Sequence, residues 1–169
     1  MNIVSVKRFR VITWQAMAMF ALGFWLSASL VFDCLIIPGL LSAGMMSESG
    51  FAGASYLIFG TFNRVELLCA AIVLASTLVL NYRHNLSRLK IDKSLVIGSF
   101  LLAIALSYTY IIIPQMSGMG MSLTIFDPKE YLPSSMMEMH VVYWTLEASK
   151  LMLGSLLLSK LYRNSCSLL

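Results

Sequence analysis

Charge is what this sequence has least of. Asp, Glu, Lys and Arg make up 12% of its 169 residues, about half of what a soluble domain carries on its surface. That scarcity excludes an ordinary soluble fold, and the 59% hydrophobic content and mean hydropathy of +0.81 point the same way. Histidine occurs only twice, and His84 and His140 fall at opposite ends of the predicted spans. A bis-histidine haem site therefore cannot form within one chain, although ligation by one His and a Met stays open. The three cysteines, Cys34, Cys69 and Cys166, are too scattered for a disulfide framework or a Cys-x-x-Cys metal site and read as packing residues. Equally missing are a Walker loop, a Gly-rich dinucleotide turn, a nucleophile elbow and HExxH. The serines have no base and orienting carboxylate placed with them, so no catalytic residues are assigned. Strand-like alternation is absent too, and runs such as Leu67 to Leu80 are apolar on every face, which excludes a β-barrel.

What the sequence does have is four apolar runs, roughly residues 12–37, 59–82, 95–113 and 137–162. Each reaches the ~20 helical residues needed to cross a hydrocarbon core of about 30 Å. Almost nothing remains for a soluble domain, so residues 1–169 read as one all-α, polytopic four-helix transmembrane domain. The first run follows Lys7, Arg8 and Arg10 but exceeds the about 7–15 apolar residues of a secretory signal, so it is expected to be a retained helix.

Basic residues set the expected orientation. Lys7, Arg8 and Arg10 precede the first run, Arg83, Arg88, Lys90 and Lys93 lie between the second and third, and Lys160 and Arg163 flank the C-terminus. The opposite loops hold Lys129 beside Glu48, Asp127 and Glu130, so the positive-inside rule places both termini in the cytoplasm. The net charge of +4 reports topology and contact with anionic lipid, with no nucleic-acid partner implied.

The chain also matches itself. "CLIIPGLLSAGMM" (34–46) and "YIIIPQMSGMGMS" (110–122) coincide at an offset of 76 in Ile36/Ile112, Ile37/Ile113, Pro38/Pro114, Gly44/Gly120 and Met45/Met121. Because proline lacks an amide donor and clashes with the preceding turn, both helices are expected to stop there. In the second and fourth runs Glu66 lies 16 residues before Tyr82 and Glu147 lies 15 before Tyr162. At ~1.5 Å per residue, both carboxylates sit about 23 Å from the inner boundary. Two similar helical hairpins related by an axis along the membrane normal follow from this pattern.

An ionisable group inside a span costs several kcal/mol unless it faces the bundle interior and finds a partner. Asp33, Arg64, Glu66, Glu147 and Lys150 therefore predict a buried cluster in the outer half of the bundle. Helical side chains lean toward the N-terminus, which tilts Lys150 toward Glu147 one turn before it and lets it bridge to Glu66. Arg64 is expected to reach Asp33, with Asn63 and Tyr143 lining the same region. Such a cluster either fixes helix register or binds a proton, cation or polar substrate. Eight of the 12 methionines (45, 46, 116, 119, 121, 136, 137 and 139) gather near the expected outer side. With His140 they make Met137 and Met139 candidate ligands for a soft metal such as Cu(I), although Met is equally an apolar filler.

The stretches "FWLSASLVFDCLIIPGL", "FGTFNRVELLCA" and "MMEMHVVYWTLEASKLMLG" resemble the family named domain of unknown function 4149. These are small four-helix membrane proteins similar to eukaryotic transmembrane protein 205 and, more distantly, to copper-resistance D proteins. The resemblance covers nearly the whole chain and rests on Trp25, Pro38, the run from Asn63 to Glu66, and His140 followed by Glu147. It implies the four-helix fold, and its cyanobacterial flavour implies a plasma or thylakoid membrane. The broader group includes haem-associated porphyrinogen oxidases, from which this chain departs by lacking a second histidine at membrane depth.

These features favour a non-enzymatic accessory, assembly or scaffold subunit that docks other membrane subunits or a second copy as a homodimer. Two alternatives stay open: a small proton, cation or copper transporter using Glu66 and Glu147, and a haem- or copper-associated redox protein.

Overall fold

The computed structural model describes residues 3–45, 51–84, 92–118 and 134–166, and among these the chain is helical with no strand. Four helical stretches are long and apolar enough to cross a membrane: Thr13–Leu40, Gly53–Tyr82, Lys93–Gly118 and Met137–Cys166. They are the first to fourth spans below. The loop charges Glu48, Asp127, Lys129 and Glu130, and the Gly120 and Met121 half of the repeat, lie outside the described residues.

Side-chain partners fix the packing. Trp25, Ser29 and Phe32 advance along the first span while Glu66, Phe62 and Phe59 recede along the second. These two spans are therefore antiparallel. The same holds for the third and fourth, where Asp92 meets Lys160 and Tyr108 meets Glu147. Gln15 donates to the Leu161 carbonyl and Leu26 abuts Gly154, so the fourth span closes against the first. Each span packs on two others, and the diagonal pairs, first with third and second with fourth, make no close backbone approach.

The main core, built on Ala18, Leu22, Trp25, Ala70, Val73, Leu101, Ala105 and Leu157, lies on the ring's inward faces. A second cluster of Ile104, Tyr108 and Ile112 packs against Tyr143 and Leu146. Outward positions such as Phe20, Leu35, Leu57, Leu68 and Phe100 are exposed and apolar, the reverse of a soluble surface.

The expectation that the first and third helices stop at their prolines is overturned. Helix Ile3–Val31 passes through a π-helical turn at Phe32–Ile36 into a further helix, Ile37–Ser42, which contains Pro38. Helix Lys93–Ser107 passes through a π-helical turn at Tyr108–Ile112 into helical residues 113–118, which contain Pro114. In both, the amide just before the proline reaches back five residues, Ile37 to the Phe32 carbonyl and Ile113 to the Tyr108 carbonyl. A π turn carries one extra residue and widens the backbone, relieving the clash between a proline ring and the carbonyl one turn earlier. The two π turns are 76 residues apart, the same offset as the sequence match.

Close approach is tightest at Gly154, where a Cβ would lie 2.7 Å from Leu26 Cδ2 and 3.4 Å from both Cδ1 and Cγ. Small residues at such crossings let helices pack where hydrophobic drive between them is weak. Gly154→Val should therefore lower stability by about 1–3 kcal/mol through overpacking. Leu26→Ala in the same chain should recover part of that loss, as measured by unfolding in mixed micelles.

Toward the C-terminal end of the fourth span, Lys160 Nζ lies 2.6 Å from Asp92 Oδ1, just before the third span begins. Partial burial raises the Asp92 carboxyl, but the hydrogen bond and charge of Lys160, together with hydrogen bonds from Ser94, outweigh it and hold it below the ordinary 3.8. The pair's contribution is thus present above that ordinary value and disappears as pH falls through the lowered one. Both side chains are over a third exposed, at 36% and 44%, so screening keeps the effect of Asp92→Asn below about 1 kcal/mol. Melting curves of wild type and Asp92→Asn should differ slightly at neutral pH and converge in acid.

Candidate functional site

Where the four spans meet, one ammonium stands between two carboxylates. Lys150 Nζ lies 2.5 Å from Glu66 Oε1 and 2.6 Å from Glu147 Oε1, and the three residues are 1%, 1% and 2% exposed. Glu147 is one turn before Lys150 on the same helix, as the backward lean of helical side chains requires. Glu66 comes from the diagonal helix, so the ion pair crosses the bundle interior and links two helices whose backbones do not touch.

A buried ion pair holds only where its remaining lone pairs and protons are also satisfied. Glu66 Oε1 receives, besides Lys150, the Trp25 indole N–H at 2.8 Å and the Ser29 hydroxyl at 3.0 Å. Trp25 and Ser29 are four residues apart and therefore on one face of the first span. The Tyr108 hydroxyl shares its hydrogen between Glu147 Oε2 at 3.0 Å and the Tyr143 carbonyl at 3.2 Å. Lys150 Nζ also lies 5.4 Å from the Tyr108 ring centroid and 6.0 Å from that of Trp25, within the range where an aromatic face attracts a cation. All four spans thus contribute.

Asp33 and Tyr143 extend the cluster away from the Lys160 end. Tyr143 donates to Asp33 Oδ1 at 3.1 Å, and Asp33 is 7% exposed. Asn63, one turn from Glu66 in the same direction, is 5% exposed. Asp33 Oδ2 and Asn63 Nδ2 have no hydrogen-bond partner. Glu147 Oε1 has none either, although it touches Lys150 as an ion.

Arg64 does not join. It is exposed, and Asp33 takes its hydrogen bond from Tyr143. The reason lies in helix geometry: two positions apart on a helix is a rotation of about 200°, so Arg64 and Glu66 cannot both face inward.

The candidate metal ligands are not brought together. Met137 and His140 line one shallow, open groove along the fourth span with Val141 and Trp144, while Met139 is not among its lining residues. Met139 is again two positions from Met137, hence about 200° around the helix. Among the described residues no group of three or more His, Cys, Asp or Glu could hold a metal ion. Met46, Met119, Met121 and the side chain of Met136 lie outside the described residues.

Sequence reasoning did not assign Trp25, Ser29 and Tyr108 as carboxylate donors. Ser29 and Tyr108 were legible in principle as hydroxyls inside apolar runs. Their partners could not be identified without knowing which helices are neighbours.

Replacing Lys150 by Met keeps its length but leaves two buried carboxylates facing each other. Lys150→Met should cost about 3–5 kcal/mol, the scale for removing one partner of a buried pair. The uncharged triple variant Glu66→Gln, Glu147→Gln, Lys150→Met should recover most of it, with unfolding in mixed micelles as the check. No family profile, curated protein or solved structure matches this chain.

Proposed function

We propose that the chain is a non-enzymatic integral membrane protein serving as an accessory, assembly or scaffold subunit of a larger membrane complex. The observation carrying this reading is where the charges go. The Glu66, Lys150 and Glu147 triad is sealed inside the bundle and engaged with its own neighbours. The outward faces, which partners or lipid would meet, are apolar.

The fourth span has the least of its surface buried and presents Met137, Val141, Trp144 and Met152 outward. On this reading that face is where a neighbouring subunit of the complex docks. The positive-inside distribution of Lys and Arg supports both termini being cytoplasmic. The matching π turns and prolines support two similar hairpins as the building unit. We extend the proposal to the resemblance drawn from sequence: a four-helix member of the domain of unknown function 4149 family, resident in a plasma or thylakoid membrane.

One observation favours a second reading. Glu66 and Glu147 share a single ammonium and Asp33 Oδ2 has no partner, so the cluster has acceptor capacity left over, as a proton or cation transporter would need.

The two readings separate on the native particle. Extraction in mild detergent from cells expressing a tagged copy at its natural level should yield foreign subunits in stoichiometric amount. A lone monomer or homodimer would contradict the accessory role. Under the transport reading, Glu66→Gln and Glu147→Gln should each abolish flux in proteoliposomes while leaving the fold intact, and unchanged flux in both would remove that reading.

A further inference from the structure

Two side chains more than nine-tenths buried each leave a polar atom without a hydrogen-bond partner among the described residues: Asp33 at Oδ2, an acceptor, and Asn63 at Nδ2, a donor. Their placement follows from the contacts beside them. Phe32 and Phe62 stack with ring centroids 4.4 Å apart, and one turn along, Ser29 donates to Glu66 Oε1 at 3.0 Å. Asp33 is four residues from Ser29 and Asn63 three from Glu66, so each lies on the helix face that makes this second contact. Each also follows its stacked phenylalanine by one residue. Because the two spans run antiparallel, that step of about 100° turns both side chains to the same side, the bundle interior. Asp33 and Asn63 therefore face the interior at one level of the first and second spans.

The two atoms are complementary in type yet do not bond to each other. An acceptor and a donor left open at one level of a close helix crossing call for a small molecule that is both. A bare metal cation does not match, because Asn63 presents an N–H2 group, and among the described residues no group of three or more His, Cys, Asp or Glu could hold one. Water does match, and a buried water needs about two to four polar partners. The third comes from the fourth span: the Tyr143 hydroxyl, which donates to Asp33 Oδ1 at 3.1 Å, keeps lone pairs with which to accept.

We propose that Asp33, Asn63 and Tyr143 form a binding site for one structural water molecule. The water accepts from Asn63 Nδ2, donates one hydrogen to Asp33 Oδ2 and gives the other to the Tyr143 hydroxyl oxygen. It ties the second span to the first and fourth one turn beyond Glu66, where no direct side-chain bond among the described residues does so. Without it, both buried atoms would bear their full desolvation penalty, which a bridging water removes nearly as well as a direct bond. The inference depends on neither reading of function, because the water completes the cluster whether or not anything is carried across.

Solid-state NMR of the full chain in liposomes, with magnetisation started on water and asparagine, aspartate and tryptophan isotope-labelled, reads this directly. In the wild type, the side-chain amide of Asn63, assigned through its backbone to Phe62 and Arg64, should receive magnetisation from water. The Trp25 indole N–H, as deeply buried but bonded to Glu66, should receive none on the same timescale. That comparison needs no substitution to fold. Asn63→Leu, close in volume but without a donor, should also abolish transfer from water to the Asp33 carboxyl carbon. Absence of transfer to Asn63 in the wild type, as a direct bond from Asn63 to Asp33 would give, would overturn the assignment. So would transfer to Asp33 that survives in Asn63→Leu.

Discussion

The contact on which the rest of this bundle depends is Lys150 Nζ held between the carboxylates of Glu66 and Glu147. Helices in a ring of four can meet their neighbours through apolar packing, but opposite members are too far apart to touch by backbone. Here the long side chain of Lys150 reaches across that diagonal. Once it does, the carboxylates must be surrounded by donors, which recruits Trp25 and Ser29 from the first span and Tyr108 from the third. A rotation or one-residue slip of any span would leave an ionised group unpartnered at several kcal/mol. The cluster thus defines the register of all four helices in a way that Leu, Ile and Val contacts, tolerant of small slides, do not.

Two irregularities in otherwise continuous helices serve that arrangement. The π turns at Phe32–Ile36 and Tyr108–Ile112 contain or open with residues of the cluster, Asp33 in one and Tyr108 in the other. Each adds a residue to its turn and changes which side chains point inward beyond it. The proline two positions after each turn is compatible with that geometry because the widened turn has already displaced the carbonyl it would strike. The groups they supply differ, a carboxyl from the second residue of one π turn and a phenol from the first residue of the other, so similar backbone irregularities deliver unlike groups to adjoining parts of one cluster.

Much of the architecture was legible from the sequence because it rests on strong local rules. Span length follows from apolar runs, and the lean of helical side chains is enough to place Lys150 against Glu147. The partner across the diagonal, Glu66, followed from equal depth. What failed did so for identifiable reasons. Pairing Arg64 with Asp33 used depth and charge but ignored the rotation of about 200° between Arg64 and Glu66. Ending the helices at Pro38 and Pro114 treated proline as a terminator when the preceding residues can relax into a π turn. The roles of Trp25, Ser29 and Tyr108 depend on which spans are neighbours, and periodicity within one helix carries no such information.

The central claim is that the bond across the diagonal is energetic and not merely geometric, and a double-mutant cycle between Glu66 and Lys150 measures it. Stabilities of the wild type, Glu66→Gln, Lys150→Met and the pair combined, in the same micelles, give the coupling directly. The account predicts a favourable coupling above about 1 kcal/mol, since residues sharing one buried network do not act independently. Additive effects within about 0.5 kcal/mol, the behaviour of distant sites, would contradict it.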